Sequence, residues 1–200
     1  MVKWTARFWR AENGYTLVDQ LATLAIVATV AAIAVPALSN AVEGQRLGME
    51  VRNVEREIQL TRLTAVSVNR PMRMRFNCPA AGYYRRVELI GTVNTPVPHD
   101  DDGDGVYRCN ITNYPYPSAS NDPLTRPRND GPLKQLNTSV SFTSVQTLEF
   151  WPNGTVHVAP PSGTPGAWPQ LGSAPVNIVM TKGSTTRLIS VNTLGKVQIQ

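Results

Sequence analysis

The sequence is short of the residues that most chemistry needs. It has two cysteines and two histidines in 200 residues, and neither type clusters: His99 and His157 stand alone, and Cys78 and Cys109 lie far apart. No Cys/His group has metal-site spacing, which argues against zinc. There is no glycine-rich loop to cradle a phosphate, no Ser-His-Asp arrangement and no paired acids outside one aspartate run, so the residues do not point to an enzyme. Charge is also scarce. The formal net charge of +5 is only mildly basic and is not by itself a nucleic-acid signature, and from Leu21 to Leu38 there is no charge at all.

That uncharged stretch is built from Leu, Ala, Ile, Val, Thr and a proline. It falls a little short of the ~20 apolar residues that cross a bilayer as a helix, and adding Tyr15 to Val18 makes it long enough. Lys3, Arg7 and Arg10 precede it, so the positive-inside bias keeps the amino terminus cytoplasmic and sends the rest outward. A secretory signal peptide places its small-residue cleavage site after the apolar core. Here the small residue, Gly14, comes before it. A cut after Gly14 removes only the basic leader and leaves the apolar helix on the mature chain, with a net charge of +3 once Lys3, Arg7, Arg10 and Glu12 are gone.

Asp19 lies inside the apolar stretch, where a carboxylate costs roughly 2.5 to 3.5 kcal/mol on insertion scales and marks either a functional pairing or a place at the headgroup boundary. Pro36 removes a backbone hydrogen bond, and it either kinks or locally melts the helix or ends its membrane part.

After the membrane the pattern becomes amphipathic. Leu47, Val51, Val54, Ile58, Thr61, Ala65 and Val68 recur at spacings of four and three, one face of a helix. Arg46, Glu50, Arg52, Glu55, Arg56, Glu57 and Arg62 lie opposite. A single helix from about Tyr15 to Asn69 is expected, its second half lying on a sheet; a short coiled coil is the other reading. Asn69-Arg70-Pro71 ends it. Strands are expected at Met72 to Asn77, Tyr83 to Ile90, Val140 to Val145, Thr147 to Trp151, Thr155 to Ala159, Val176 to Thr181, Arg187 to Asn192 and Lys196 to Gln200. Pro152-Asn153-Gly154-Thr155 signals a hairpin in which Asn-Gly takes positive φ, and Leu194-Gly195 another. The Pro/Gly/Ser/Asn-rich stretches 94–136 and 159–174 read as long surface loops. The expected class is α+β: residues 1–14 a leader, 15–39 a transmembrane half-helix, 40–69 its amphipathic half, and 70–200 a β-rich head.

Two cysteines in an exported head favour a disulfide between Cys78 and Cys109 over two free thiols. It would close a loop of about 30 residues and contribute roughly 3 to 4 kcal/mol on the chain-entropy account. Between them, Asp100, Asp102 and Asp104 at alternate positions, then Gly105 and the Val106 carbonyl, fit the start of a Ca²⁺ loop. The twelfth position is Ile111, not an acid, so a further ligand would have to come from elsewhere, Asp122 or Asp130. The other reading is a solvated acidic turn. No cofactor is required, and a Ca²⁺ would be structural.

The order of basic leader, Gly14, Tyr15-Thr16-Leu17-Val18-Asp19 and apolar helix resembles the prepilin leader of type IV pilins and type II secretion pseudopilins. In that family a cytoplasmic-side peptidase cuts after the glycine and methylates the new terminus, which here is Tyr15. Asp19 falls at the fifth mature position, where the family usually has Glu, and Pro36 at the twenty-second. The resemblance implies that Asp19 pairs with the terminal amine of a neighbouring subunit during assembly. The run EREIQLTRLTAVSVNRP at Glu55 to Pro71 is similar to the stem-helix end of the GspH/FimT subfamily. Leu148 to Thr155 matches that subfamily's Phe-x-Pro-x-Gly-Thr hairpin, and Ile189 to Gln200 resembles its last hairpin. The loop 94–136 is outside the likeness.

By this resemblance the chain is a minor pilin or pseudopilin with a pilin-like fold, anchored once in the inner membrane with its head in the periplasm. Its partners are other pilins or pseudopilins, a prepilin peptidase and the membrane. The alternative implied by FimT-like members is DNA binding, through Arg70, Arg73, Arg75, Arg85 and Arg86 or through Lys182, Arg187 and Lys196, with salt-sensitive phosphate contacts. The Gly-Arg-x-Arg run of some such members is reduced here to Gly195-Lys196-Val197-Gln198, one basic residue instead of two.

Overall fold

The four-and-three spacing of apolar residues from Leu47 onward, with no β-branched run to oppose it, produces one helix, α1 (Leu17–Val68), that continues without a break from the uncharged stretch. The computed structural model describes residues 16–89, 107–118, 128–159 and 168–200, in two units, Met1–Val42 and Glu43–Gln200.

In the first unit every described side chain of α1 from Leu17 to Leu38 is exposed. The helix is long and apolar enough to cross a membrane. Leaving a Leu, Ile or Val side chain in water forgoes roughly 1.5 to 3 kcal/mol each, so an apolar surrounding would stabilise this part of the helix. Pro36 sits inside the continuous helix, so it does not end α1; in a helix interior it removes one backbone hydrogen bond and crowds the preceding turn.

The second unit is α+β. Leu47, Val51, Val54, Ile58, Thr61 and Ala65 on α1 are fully buried. All but Thr61 belong to one hydrophobic core with Met72, Met74, Leu148, Phe150, Val156, Ile178, Met180 and Ile189. Val68, the seventh expected position, is half-buried because the helix ends there: Asn69 turns left-handed at φ 54°, and the Arg70 N–H donates back to the Ala65 carbonyl at 3.2 Å, a C-terminal cap.

Two antiparallel sheets follow. The first has the order β3 (Lys134–Gln135), β2 (Tyr83–Glu88), β1 (Met72–Phe76), β5 (Leu148–Phe150), β6 (Val156–Val158). The second runs β4 (Ser141–Ser144), β7 (Val176–Lys182), β8 (Thr185–Val191), β9 (Val197–Ile199). All eight expected strands are present within two residues of their expected ends. The two-residue β3 was not expected, since it lies in the stretch read as loop.

The β5–β6 and β8–β9 hairpins use one turn type. Within these two turns only Gly154 (φ 83°) and Gly195 (φ 70°) are left-handed. Gly154 N–H donates to the Trp151 carbonyl and Gly195 N–H to the Asn192 carbonyl, each at 2.9 Å. These are type I turns followed by a left-handed glycine. The expected positive φ at Asn153 is therefore corrected. Its side chain instead accepts from the Thr155 N–H and hydroxyl at 3.0 and 2.7 Å.

Candidate functional site

At the start of α1, Thr16 and Asp19 cap each other. The Thr16 hydroxyl and N–H donate to Asp19 Oδ2 at 2.7 and 3.1 Å, and the Asp19 N–H donates to the Thr16 hydroxyl at 3.2 Å. This Thr-x-x-Asp arrangement satisfies amides that the first turn leaves without helical partners. It gives Asp19 a use within its own chain, and Thr16 as its partner was missed although the i, i+3 spacing was there to read. Gly14 and Tyr15 lie outside the described residues, as do Asp100, Asp102, Asp104, Val106 and Asp122.

Cys78 and Cys109 are bonded, with their Cα atoms 5.7 Å apart, which removes the free-thiol alternative. The bond fastens a short 3-10 turn (Tyr107–Cys109) to the chain just after β1. Segments 107–118 and 128–131 run over the surface, with Ile111 and Tyr116 exposed, but they send Arg108, Cys109, Tyr114 and Asp130 into the interior. They cover the face of the first sheet that points away from the helix.

That face carries Arg73 and Arg75 on β1, Arg85 on β2, Glu149 on β5 and His157 on β6, in register across the strands. Arg73, Arg85 and Arg108 are fully buried and are among the largest such side chains described. Arg85 donates from Nε to the Gly131 carbonyl at 2.8 Å, from Nη1 to the Arg108 carbonyl at 2.9 Å and from Nη2 to the Tyr114 carbonyl at 2.8 Å. Arg108 Nη2 donates to the Glu88 carbonyl at 2.7 Å and to Asp130 Oδ1 at 2.9 Å, and the Glu88 N–H donates to the same Oδ1 at 2.7 Å. Burial pushes the Asp130 carboxyl above its ordinary value, and the Arg108 guanidinium is the strongest of the influences pulling it back. Asp130 is therefore committed to arginines inside the head, which corrects its expected availability as a calcium ligand.

On the same face Arg73 Nε donates to Glu149 Oε2 at 2.8 Å, with both side chains sealed from water. The Arg73 guanidinium lies 3.7 Å from the Trp168 ring centroid. Trp151 Nε1 donates to the other Glu149 oxygen at 2.6 Å and stacks on His157 with centroids 4.6 Å apart. On the helix side, Glu57, expected on the polar face, is buried between Lys134 at 2.5 Å and Arg86 at 3.3 Å.

These pairings settle what the sequence-predicted basic residues can reach. Arg70 pairs with Glu88 at 3.1 Å while staying 46% exposed, Arg75 is half-buried, Arg86 pairs with Glu57, and Arg73 and Arg85 are interior, so the five arginines do not form one exposed strip. Lys182, at a core-facing register of β7, is 7% exposed. Arg187 and Lys196 are exposed, but Arg187 is near the start of β8, whereas Lys196 lies beyond its far end, across from Asn192. At about 3.3 Å per residue they are roughly 15 to 17 Å apart along the strand. The structure therefore does not bring the three expected DNA-binding residues together. Among the described residues no group of three or more His, Cys, Asp or Glu could hold a metal ion. Comparison of the chain with protein-family models, with curated proteins and with solved structures finds no match in any of the three.

Proposed function

We propose that this chain is a membrane-anchored filament subunit, a minor pilin or pseudopilin of the GspH/FimT type, cleaved after Gly14 and assembled through the first half of α1. The observation that carries the reading is the exposure of every described residue of α1 from Leu17 to Leu38, with Asp19 the one charge among them. A helix that is apolar on all sides is made to be surrounded, by lipid before assembly and by like helices after it. In the filament the Asp19 carboxylate exchanges its cap on Thr16 for the terminal amine of a neighbour, and the head faces the periplasm. The partners are then other pilins or pseudopilins, the peptidase and the inner membrane.

Co-expression with a prepilin peptidase tests this. Mass spectrometry should find a product beginning with methylated Tyr15, and Gly14→Glu should abolish it. A chain that stays uncut, or one that is cut beyond Leu38, would refute the assignment. The DNA-binding alternative keeps only Arg187 and Lys196 as exposed members of its carboxyl-terminal set.

A further inference from the structure

We propose that the Cys78–Cys109 bond is the latch of a layer that opens on its own, so that the head completes its outer face only after these two thiols are oxidised. The proposal goes beyond filament assembly and rests only on the part of that reading in which the head is exported.

The main core contains no residue from 107–118 or 128–131; α1 and the two sheets bury one another without them. What holds this layer down is of another kind. Apart from buried Tyr114, which packs against the Arg108 guanidinium, it is polar, converging on the three carbonyl bonds of Arg85 and on the Arg108–Asp130 pair, and it is covalent at one point. The polar part is imperfect: Arg108 Nε and Nη1 and Asp130 Oδ2 are buried without a hydrogen-bond partner. Such groups favour the open, hydrated state. A bond closing a loop of this length disfavours that open state by roughly two to three powers of ten on the chain-entropy account. The balance of the layer is therefore set by the disulfide, whereas the balance of the core is set by apolar burial.

The chemistry is a thiol–disulfide exchange. One cysteine thiolate attacks an acceptor disulfide, and a mixed disulfide forms as one acceptor thiolate leaves. The second cysteine thiolate then displaces the other acceptor sulfur. The two cysteines lose two electrons and two protons, and the acceptor leaves as two thiols. Before export, in a reducing compartment, the chain keeps its cysteines as thiols and its outer layer open. Afterwards closure seals Arg85 beneath the layer.

Hydrogen exchange on the full chain in detergent micelles tests this, comparing protein oxidised with glutathione disulfide against protein reduced with a phosphine. Reduction should speed exchange at the Tyr114 and Gly131 amides at least about tenfold while Ile178 and Ile189 stay protected. The paired variant Cys78→Ser/Cys109→Ser should behave like reduced protein and ignore glutathione disulfide; if it fails to fold, the reduced wild-type chain still gives the answer. Unchanged layer amides would overturn the latch. Loss of protection at Ile178 and Ile189 in parallel would also overturn it, because the bond would then hold the whole head.

Discussion

Gly154 and Gly195 offer a matched pair for a quantitative test, since they occupy the same position in the same turn type and differ in how closely they approach Arg62. A Cβ built on Gly195 would lie 2.6 Å from Arg62 Cδ and 2.7 Å from Arg62 Nε, whereas one on Gly154 would meet nothing closer than Arg62 Nη2 at 3.6 Å. Alanine at either position must adopt a left-handed φ, at about 1 to 2 kcal/mol. At Gly195 it must also push aside the far end of the flexible, half-buried Arg62 side chain, and forcing it off its rotamer adds about 0.5 to 1.5 kcal/mol. Arg62 Nε has no hydrogen-bond partner, so the resistance is steric and not a lost bond.

Urea unfolding of the full chain in micelles, followed by tryptophan fluorescence, should therefore rank Gly195→Ala below Gly154→Ala in stability. In an Arg62→Ala background the two substitutions should cost the same. Equal costs in the wild-type background would refute the reasoning. So would a difference that survives without Arg62, because additivity within about 0.5 kcal/mol is the mark of residues that do not touch.

Three further outcomes are expected. Glu149→Gln strands the Arg73 guanidinium without its counter-charge and should cost about 3 to 5 kcal/mol, while Arg73→Met/Glu149→Leu together should recover most of that loss; urea midpoints of the three variants check it. Asp19→Ala should still be processed after Gly14 but be depleted from sheared filaments, and undiminished incorporation would end the pairing role. Neutralising Arg187 and Lys196 should leave double-stranded DNA retention unchanged at low salt, because two cations set apart along a strand make a weak phosphate site; a steep loss in a salt titration would revive the DNA reading.

Helix α1, eight of the nine strands and both glycine turns were legible because each rests on local pattern: four-and-three spacing, alternation, and Asn or Leu before Gly. The outer face of the first sheet was not. Arg73, Arg75 and Arg85 alternate along β1 and β2 as solvent-facing residues do, and nothing within those strands says that 107–118 will cover Arg85 or that Trp168 will lie over Arg73. Arg108 and Asp130 sit in stretches whose Pro, Gly, Ser and Asn content speaks of loops. Glu57 was assigned to the polar face by helical angle alone, yet Lys134, far along the chain, makes it interior. One signal did point the right way. A bond from Cys109 to Cys78 obliges the chain near Cys109 to lie at the end of β1, and that constraint places a covering segment even though it does not identify the side chains beneath.

The two sheets consequently age differently under mutation. β1, β2 and β5 are buried at nearly every position, with apolar contacts on one face and a charge network on the other, so a change there disturbs one or the other and its effects should depend strongly on what else has changed. The second sheet keeps Ser141, Asn177 and Gln198 exposed, positions with few commitments. Sequence drift, and any fluorophore or cross-linker an experimenter wishes to attach, will be accommodated most readily there.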